Sequence, residues 1–237
     1  MMKFRMKNTI VLLAVVLSFS LQGQNRWFSV YNDSIALVKD AELISQKFSG
    51  KIKNANPTIK TEHWKIIRNT TPYLIYLDIN KKTVNLPFWQ EVIPEQKEFF
   101  RKVSGGELQG KEVFGLFFNG FYLVHELGHG LAESTGKKFD NAFDSEYDAN
   151  TIAVLYWRTT KHKNSLKKCY RYAKKMISQL TNPVPANEDY KKYITDHYEE
   201  ITSDPYQYGY IQFSQFVEIY QKTKNINFET FIKNYKK

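Results

Sequence analysis

Cysteine is almost absent from this chain of 237 residues, in which Cys169 is the single example. One thiol forms no intrachain disulfide, and it excludes a zinc module built from several cysteines. The fold must therefore be held by packing. The composition suits this, because 42% of the residues are hydrophobic and the 16 Tyr and 17 Phe predict a core rich in aromatic rings.

Internal repeats, low-complexity linkers and long apolar segments are also lacking, with one exception near the N-terminus. Residues 9–21, TIVLLAVVLSFSL, form an apolar run that is too short for a comfortable membrane-spanning helix, which needs about 20 residues. Basic residues without any acid precede this run, and the polar QGQN follows it. This three-part layout predicts a secretory signal peptide over residues 1–23, cleaved after Gly23 or, as an alternative, after Ser20.

Export is the consequence of such a signal. We expect a periplasmic or secreted protein in which residues 24–237 form a single domain. A signal segment that stays uncleaved would instead anchor the chain, and association with a membrane is expected only in that case.

Acidic residues are outnumbered, with 24 Asp and Glu against 34 Lys and Arg and a formal net charge of +10. An excess of this size could favour acidic substrates or anionic surfaces, but a solvated basic surface is the simpler interpretation. No motif for binding nucleic acid accompanies the charge, and export also argues against such a partner. We therefore expect no nucleic acid partner.

The hydrophobic patterns predict an α+β fold with a small N-terminal sheet and a mostly helical C-terminal half. Helical spacing begins at SIALVKDAELISQKFSGKI, residues 34–52, and TPYLIYLDI and KTVNLPFWQEV then have the composition of two strands joined by a short turn. Pro87 interrupts the second run, which predicts an edge strand or a bulge. Residues 83–89 are the edge to which an extended peptide could add. From residue 112 onward, helical patterns continue almost to the C-terminus.

The first long helical run of that half contains HELGH, residues 125–129. Residues four apart lie on the same face of a helix, so His125 and His129 can bind one ion. Glu126 is rotated by about 100° from His125, which places its carboxylate beside the ion rather than on it. Neutral imidazole suits Zn²⁺, and a catalytic zinc site uses three protein ligands and a water molecule. Two core histidines bonded to backbone or carboxylate groups are the alternative interpretation.

A third ligand is expected from an acidic residue further along the chain. Glu133 lies in the same row of the helix, where ligands could not surround the ion, and it fits better as a solvated helix-end acid. The next helical run, FDSEYDANTIAVLYWRTTK, has Glu146 and Asn150 four residues apart on one face. Glu146 is therefore the preferred ligand, and Asn150 could hydrogen-bond a ligand histidine. Asp144 and Asp148 are the substitutes if another face of this helix is turned inward.

HELGH followed by EYDANTIA resembles the HExxH…ExxA[DN]xxA signature of gluzincin-type zinc metallopeptidases, among them the HtpX-like and the ImmA/IrrE-type peptidases. The likeness extends over residues 120–157. It implies a zincin-like fold in which one Zn²⁺ ion is bound by His125, His129 and Glu146. It also implies that Glu126 is the catalytic acid/base.

The resulting hypothesis is an exported zinc metalloendopeptidase that hydrolyses peptides or proteins, with Glu126 as the general base towards a zinc-activated water. A donor for the developing oxyanion is expected downstream, where DHYEE and DPYQYGYIQ contain His197, Tyr206, Tyr208 and Tyr210. We predict Tyr208 for this role, and a packing role for its ring is the simpler alternative. The competing hypothesis is a catalytically inactive protein with the same fold that acts in binding or as a scaffold.

Overall fold

The computed structural model of the chain describes residues 26–235, so the predicted signal peptide, residues 1–23, lies outside the described residues. The structure is mostly helical (64%) with a small three-stranded sheet, which confirms the α+β class. The strands are β1 (Lys65–Arg68), β2 (Tyr76–Asp78) and β3 (Thr83–Leu86). The helices are α1 (Ser34–Ala55), α2 (Pro94–Ser104), α3 (Glu107–Leu116), α4 (Tyr122–Thr135), α5 (Ala142–Arg158), α6 (Lys163–Ile177), α7 (Tyr190–Asp196), α8 (Tyr198–Ser203), α9 (Pro205–Lys222) and α10 (Phe228–Lys233).

Helix α1 begins where Asp33 caps its first turn, because the Asp33 carboxylate accepts a hydrogen bond from the Ile35 N–H at 2.9 Å. The apolar residues of this helix recur every three or four positions and form one buried row. That row consists of Leu37, Ala41, Ile44, Phe48 and Ile52. Helix α1 packs against β1, α4 and α10, so burial of the row stabilises the helix.

The sheet has the strand order β1–β3–β2, with β1 parallel and β2 antiparallel to β3. The prediction that residues 83–89 form an edge strand is wrong, because β3 is paired on both sides and all of its residues are buried. Pro87 comes after the last strand residue, so its missing N–H removes no hydrogen bond from the ladder. The edge strand nearest in sequence is β2, in which Leu77 pairs with Val84 of β3.

A π-helical turn, Phe117–Phe121, joins α3 to α4 directly before the HELGH segment. Asn119 departs from helical geometry there, with φ −108° and ψ 28°. Its side-chain nitrogen donates to the Pro87 carbonyl at 3.1 Å, which ties the turn to the chain that leaves β3. A π turn lets one residue bulge out of a helix, so α4 starts in a direction that α3 alone would not give it.

The first described residues pack against this π turn. The Phe28 N–H donates to the Asn119 carbonyl at 3.0 Å, and the Trp27 indole donates to the Gly120 carbonyl at 3.1 Å. Only a glycine fits at position 120, because an added Cβ would lie 2.6 Å from Cδ1 of Phe28. The N-terminal segment therefore supports the start of α4.

Helices α4 and α5 approach closely. Gly128, inside HELGH, faces Ala149, and a Cβ added to Gly128 would lie 3.1 Å from the Ala149 Cα. Helix α4 ends at Gly136, whose φ of 69° lies in the left-handed region that glycine adopts without strain. Helix α5 begins after Asn141, whose side chain accepts from the Asp144 N–H at 2.9 Å.

The C-terminal helices pack around α5. Helix α9 contacts both α5 and α6, and Phe216 of α9 packs against Phe117 and Phe121 with ring centroids 5.7 and 4.7 Å away. Cys169 is buried in α6, as its place on the apolar face predicts. None of the helices in residues 26–235 has the length and apolar character that a membrane crossing requires.

Candidate metal centre

Three side chains from α4 and α5 meet with their polar atoms adjacent: His125, His129 and Glu146. The Nε2 atoms of the two histidines are 3.1 Å apart. Glu146 Oε2 lies 3.2 Å from His125 Nε2, and Glu146 Oε1 lies 3.5 Å from His129 Nε2. The structure thus brings together the three residues that the sequence suggests as ligands.

These separations suit a small cation with tetrahedral geometry. Zn–N and Zn–O bonds of about 2.0–2.1 Å place neighbouring ligand atoms of a tetrahedron about 3.3 Å apart. The three measured separations are 3.1, 3.2 and 3.5 Å. Imidazole and carboxylate are ligands that divalent transition metals accept. The group formed by His125, His129 and Glu146 could therefore hold a metal ion.

Asn150 orients the first histidine. Its side-chain oxygen lies 2.9 Å from His125 Nδ1, and because this oxygen can only accept, Nδ1 carries the proton. His125 Nε2 therefore turns its lone pair towards His129 and Glu146, and this is the form of imidazole that binds a metal. Asn150 is completely buried, so water does not compete for the hydrogen bond.

Glu126 is buried next to the ligand group without belonging to it. Its Oε2 accepts a hydrogen bond from the Leu77 N–H of the edge strand β2 at 2.9 Å. An edge strand leaves some of its N–H groups outside the ladder, and the Glu126 carboxylate takes up one of them. This contact ties the position of the carboxylate to the sheet.

Burial and neighbouring charges act differently on the two glutamates. Burial raises the pKa of Glu126, against the lowering effect of His125 and His129. Burial would also raise the pKa of Glu146, but its contacts with the same histidines outweigh that effect and hold the pKa well below its usual value. Burial alone would lower the pKa of His129, and Glu146 reverses this and raises it to about 9. Glu146 thus stays an anion suited to ligation, whereas Glu126 has the stronger tendency to take up a proton.

The other acids considered as ligands are engaged elsewhere. Glu133 is exposed near the end of α4. Asp144 forms an ion pair with Lys191 at 2.6 Å, and Asp148 forms one with Lys137 at 2.7 Å. The inward face of α5 is therefore the one on which the preferred ligand lies.

Tyr208 is linked to the ligand group through Gln212. The Gln212 Nε2 donates to the Tyr208 hydroxyl at 2.9 Å and to Glu146 Oε2 at 2.7 Å. Burial, and then the charge of Glu146, raises the pKa of Tyr208 well above its usual value. The Tyr208 phenol therefore stays neutral and keeps a proton to donate.

The remaining oxyanion candidates contact other parts of the molecule. Tyr206 is exposed and packs against Phe99 with ring centroids 5.0 Å apart. His197 Nδ1 bonds the Tyr193 carbonyl at 2.9 Å. Tyr210 packs against a small apolar cluster to which α7, α8 and α9 contribute.

Two hydroxyl groups near the ligands were not singled out from the sequence. The Tyr198 hydroxyl donates to Glu146 Oε1 at 3.4 Å. The Ser145 Oγ lies 3.3 Å from His129 Nδ1, so it can orient the second histidine as Asn150 orients the first. No local sequence pattern marks these two residues as part of the site. Tyr198, for example, reaches Glu146 only through the packing of α8.

Two glutamines of α9 also belong to the network around the ligands and were missed. Gln212 and Gln215 are almost fully buried, and both accept from Asn150 Nδ2 at 3.2 Å. The sequence did contain an indication of their role. Gln212 and Gln215 lie three residues apart in the apolar stretch IQFSQFVEI, and amides on a buried helix face require polar partners.

Comparisons with known proteins assign no family: no family model, no curated protein and no solved structure matches the chain. The function is therefore inferred from the chemistry of the site.

Proposed function

We propose that the protein is a zinc-dependent metallopeptidase with a zincin-like arrangement of small sheet, HExxH helix and helical C-terminal half. One observation carries the proposal. The Nε2 atoms of His125 and His129 and the carboxylate of Glu146 lie at separations of 3.1, 3.2 and 3.5 Å, with the buried carboxylate of Glu126 beside them. The resemblance of HELGH and EYDANTIA to the gluzincin-type signature supports the same assignment.

Zinc is the ion that this set of donors favours. Two imidazole nitrogens and one carboxylate suit Zn²⁺, whereas Mg²⁺ and Ca²⁺ prefer sites made of oxygen atoms. Three protein ligands leave a fourth position open, which is the arrangement of catalytic zinc sites. A structural zinc site would be closed by a fourth protein ligand and would not need a carboxylate base such as Glu126.

A bound zinc ion would supply a Lewis acid that polarises the scissile carbonyl and lowers the pKa of a water molecule. Glu126 accepts the proton of the attacking water and delivers it to the leaving amine, a task that its raised pKa suits. The Leu77 N–H holds Oε2 of Glu126, which leaves Oε1 for the water. Tyr208, which stays neutral, donates a hydrogen bond to the developing oxyanion.

Peptides or proteins are the proposed substrates. The Leu77 N–H places β2 in contact with Glu126, and β2 lies at the edge of the sheet. An extended peptide that adds to this edge would run past the proposed base. The edge strand of the proposal is thus β2, in place of the residues 83–89 that the sequence suggested.

Hydrolysis by a Glu126→Gln variant tests the proposal. Glutamine keeps the oxygen that accepts from Leu77 but cannot take up the proton, so we expect the rate on casein or a quenched peptide library to fall about 100-fold or more. Glu133→Gln is the matched control, since it removes an exposed acid from the same helix and should leave the rate unchanged. Equal rates in both variants would contradict the role of Glu126 as the base. No hydrolysis by the wild type with Zn²⁺ added would favour the inactive binding or scaffold protein.

Export is proposed on the basis of residues 1–23 and is tested separately. Mass analysis of the N-terminus of the protein made by exporting cells should give a chain that begins at Gln24. A chain that keeps residues 1–23 and fractionates with membranes would show an uncleaved anchor.

A further inference from the structure

Helix α9 places two amide side chains in the interior: Gln212 is 4% exposed and Gln215 is 2% exposed. A buried amide needs partners for both its oxygen and its nitrogen. Asn150 Nδ2 donates to the oxygen of each glutamine at 3.2 Å. The nitrogens differ, because Gln212 Nε2 donates to Glu146 Oε2 at 2.7 Å whereas Gln215 Nε2 donates to the Phe143 carbonyl at 3.3 Å.

The direction of these hydrogen bonds follows from the Glu146 carboxylate and the Phe143 carbonyl, both of which only accept. Gln212 must turn its nitrogen towards Glu146, so its oxygen faces Asn150. Asn150 must then turn its nitrogen towards the glutamine and its oxygen towards His125. His125 Nδ1 consequently carries the proton, and Nε2 is left with the lone pair that a metal requires.

Building on the proposed metal site, we propose that Gln212 is a positioning residue that links two ligands of different kinds. Gln212 orients Glu146 directly and, together with Gln215, directs Asn150 and so sets the tautomer of His125. Helix α9 thereby prepares ligands from α4 and α5 before a metal ion arrives. Gln215 fixes the direction of Asn150 in the same way, because the Phe143 carbonyl also only accepts, but Gln215 makes no contact with Glu146.

The test compares Gln212→Met with Gln215→Met, and both of them with the double variant that carries the two changes. Both changes remove a buried amide of similar volume from the same part of α9, and only the first removes a contact with Glu146. Two quantities are measured on the mature chain at pH 8: the Zn²⁺ dissociation constant, by competition with a chromophoric chelator, and the ¹⁵N imidazole signals of His125 in the metal-free protein. Thermal unfolding of each variant checks that the fold is retained.

We expect His125 of the wild type to carry its proton on Nδ1. Gln212→Met should keep this tautomer through Gln215 but bind Zn²⁺ about 10- to 100-fold more weakly, the usual effect of losing a group that orients a ligand. The double variant should also show a mixture of tautomers, because neither glutamine then directs Asn150. Gln215→Met should keep the wild-type tautomer and stay within about fivefold of the wild-type dissociation constant.

An unchanged Zn²⁺ affinity in Gln212→Met, or an unchanged His125 tautomer in the double variant, would overturn the inference, even if Glu146→Gln loses the metal. A wild type with the His125 proton on Nε2 overturns it without any variant, which covers the case in which Gln212→Met does not fold. Failure of the proposed function gives a different result: the wild type then binds no Zn²⁺, while a mixture of tautomers in the double variant still supports the link from the glutamines to His125.

Discussion

Asn150 and Glu146 lie one turn apart on α5, and each makes a contact that its residue type allows in one direction only. The Asn150 oxygen accepts from His125 Nδ1, and the Glu146 carboxylate accepts from Gln212 Nε2. At the scale of residues, these contacts decide which lone pairs face the ligand group. The contact of Asn150 with His125 could be predicted from the sequence, because the helical spacing of Asn150 and Glu146 is visible there. The contact of Glu146 with Gln212 could not, since 66 positions separate the two residues.

Tyr208 carries the first prediction at this scale. Its neutral phenol is linked to Glu146 through Gln212, so Tyr208→Phe should lower kcat by about 100- to 1,000-fold, the cost of losing one oxyanion donor. The zinc content and the KM should change little, because the hydroxyl is not a ligand. Steady-state kinetics beside metal analysis makes the measurement. Tyr206→Phe, which alters an exposed ring of the same helix, is the control. A kcat for Tyr208→Phe equal to that of the control would leave Tyr208 with a packing role.

At the scale of elements, the helices were easier to predict than the strands. The apolar rows of α1 and α6 repeat every three or four residues, so local periodicity was sufficient. Strand β1 has only four residues, and β3 is central only because β1 joins it in parallel from 18 positions earlier in the chain (Lys65 with Thr83). Such pairing depends on contacts that no local pattern contains. Pro87 was expected to mark an edge strand or a bulge, but it lies directly after β3, which is the central strand.

The close approach of α4 and α5 gives the second prediction. An alanine at Gly128 would put its Cβ 3.1 Å from the Ala149 Cα, so the two helices must separate by a few tenths of an ångström. That shift moves Glu146 away from the histidines. We expect Gly128→Ala to bind Zn²⁺ about tenfold more weakly and to lose about 1–3 kcal/mol of unfolding free energy.

Gly50→Ala is the control for this change, because an added Cβ at the exposed Gly50 of α1 meets nothing within 4 Å. It should raise the unfolding free energy by about 0.5–1 kcal/mol and leave zinc binding unchanged. Chelator competition and urea unfolding give both quantities. Wild-type zinc affinity in Gly128→Ala would show that the spacing of α4 and α5 does not control the ligand geometry.

At the scale of the whole molecule, the first described residues and the middle of the chain share one aromatic cluster. Phe28 packs on Trp157 and on His162 with ring centroids 4.8 and 5.3 Å apart. The same segment supports the π turn before α4 through Asn119. The fold of the site therefore depends on residues far from HELGH, which a motif alone does not reveal.

His162 in this cluster gives the third prediction, a pH dependence of stability. Burial, followed by the charges of Lys161 and Lys47, lowers the pKa of His162 below its usual 6.5. The unfolded chain then takes up this proton at a higher pH than the folded chain does. Stability is therefore full above about pH 6.5 and is lost as the pH falls towards the lower pKa of the folded state.

The His162→Gln variant isolates that contribution. Urea unfolding at pH 7.5 and 5.5 should show a smaller loss of stability in the variant than in the wild type, because glutamine does not titrate. Other titrating groups contribute equally to both proteins and cancel in the difference. The same loss in both proteins would mean that His162 is protonated as readily in the folded chain as in the unfolded one.

Metal content of the purified mature chain tests the central claim most directly. Elemental analysis of the wild type, Glu146→Gln and Asp144→Asn compares the proposed ligand with an acid of the same helix that pairs with Lys191. We predict one zinc ion per chain in the wild type and in Asp144→Asn, and a large loss in Glu146→Gln. A wild type that binds no zinc, or a Glu146→Gln variant that keeps as much as the wild type, would contradict the account.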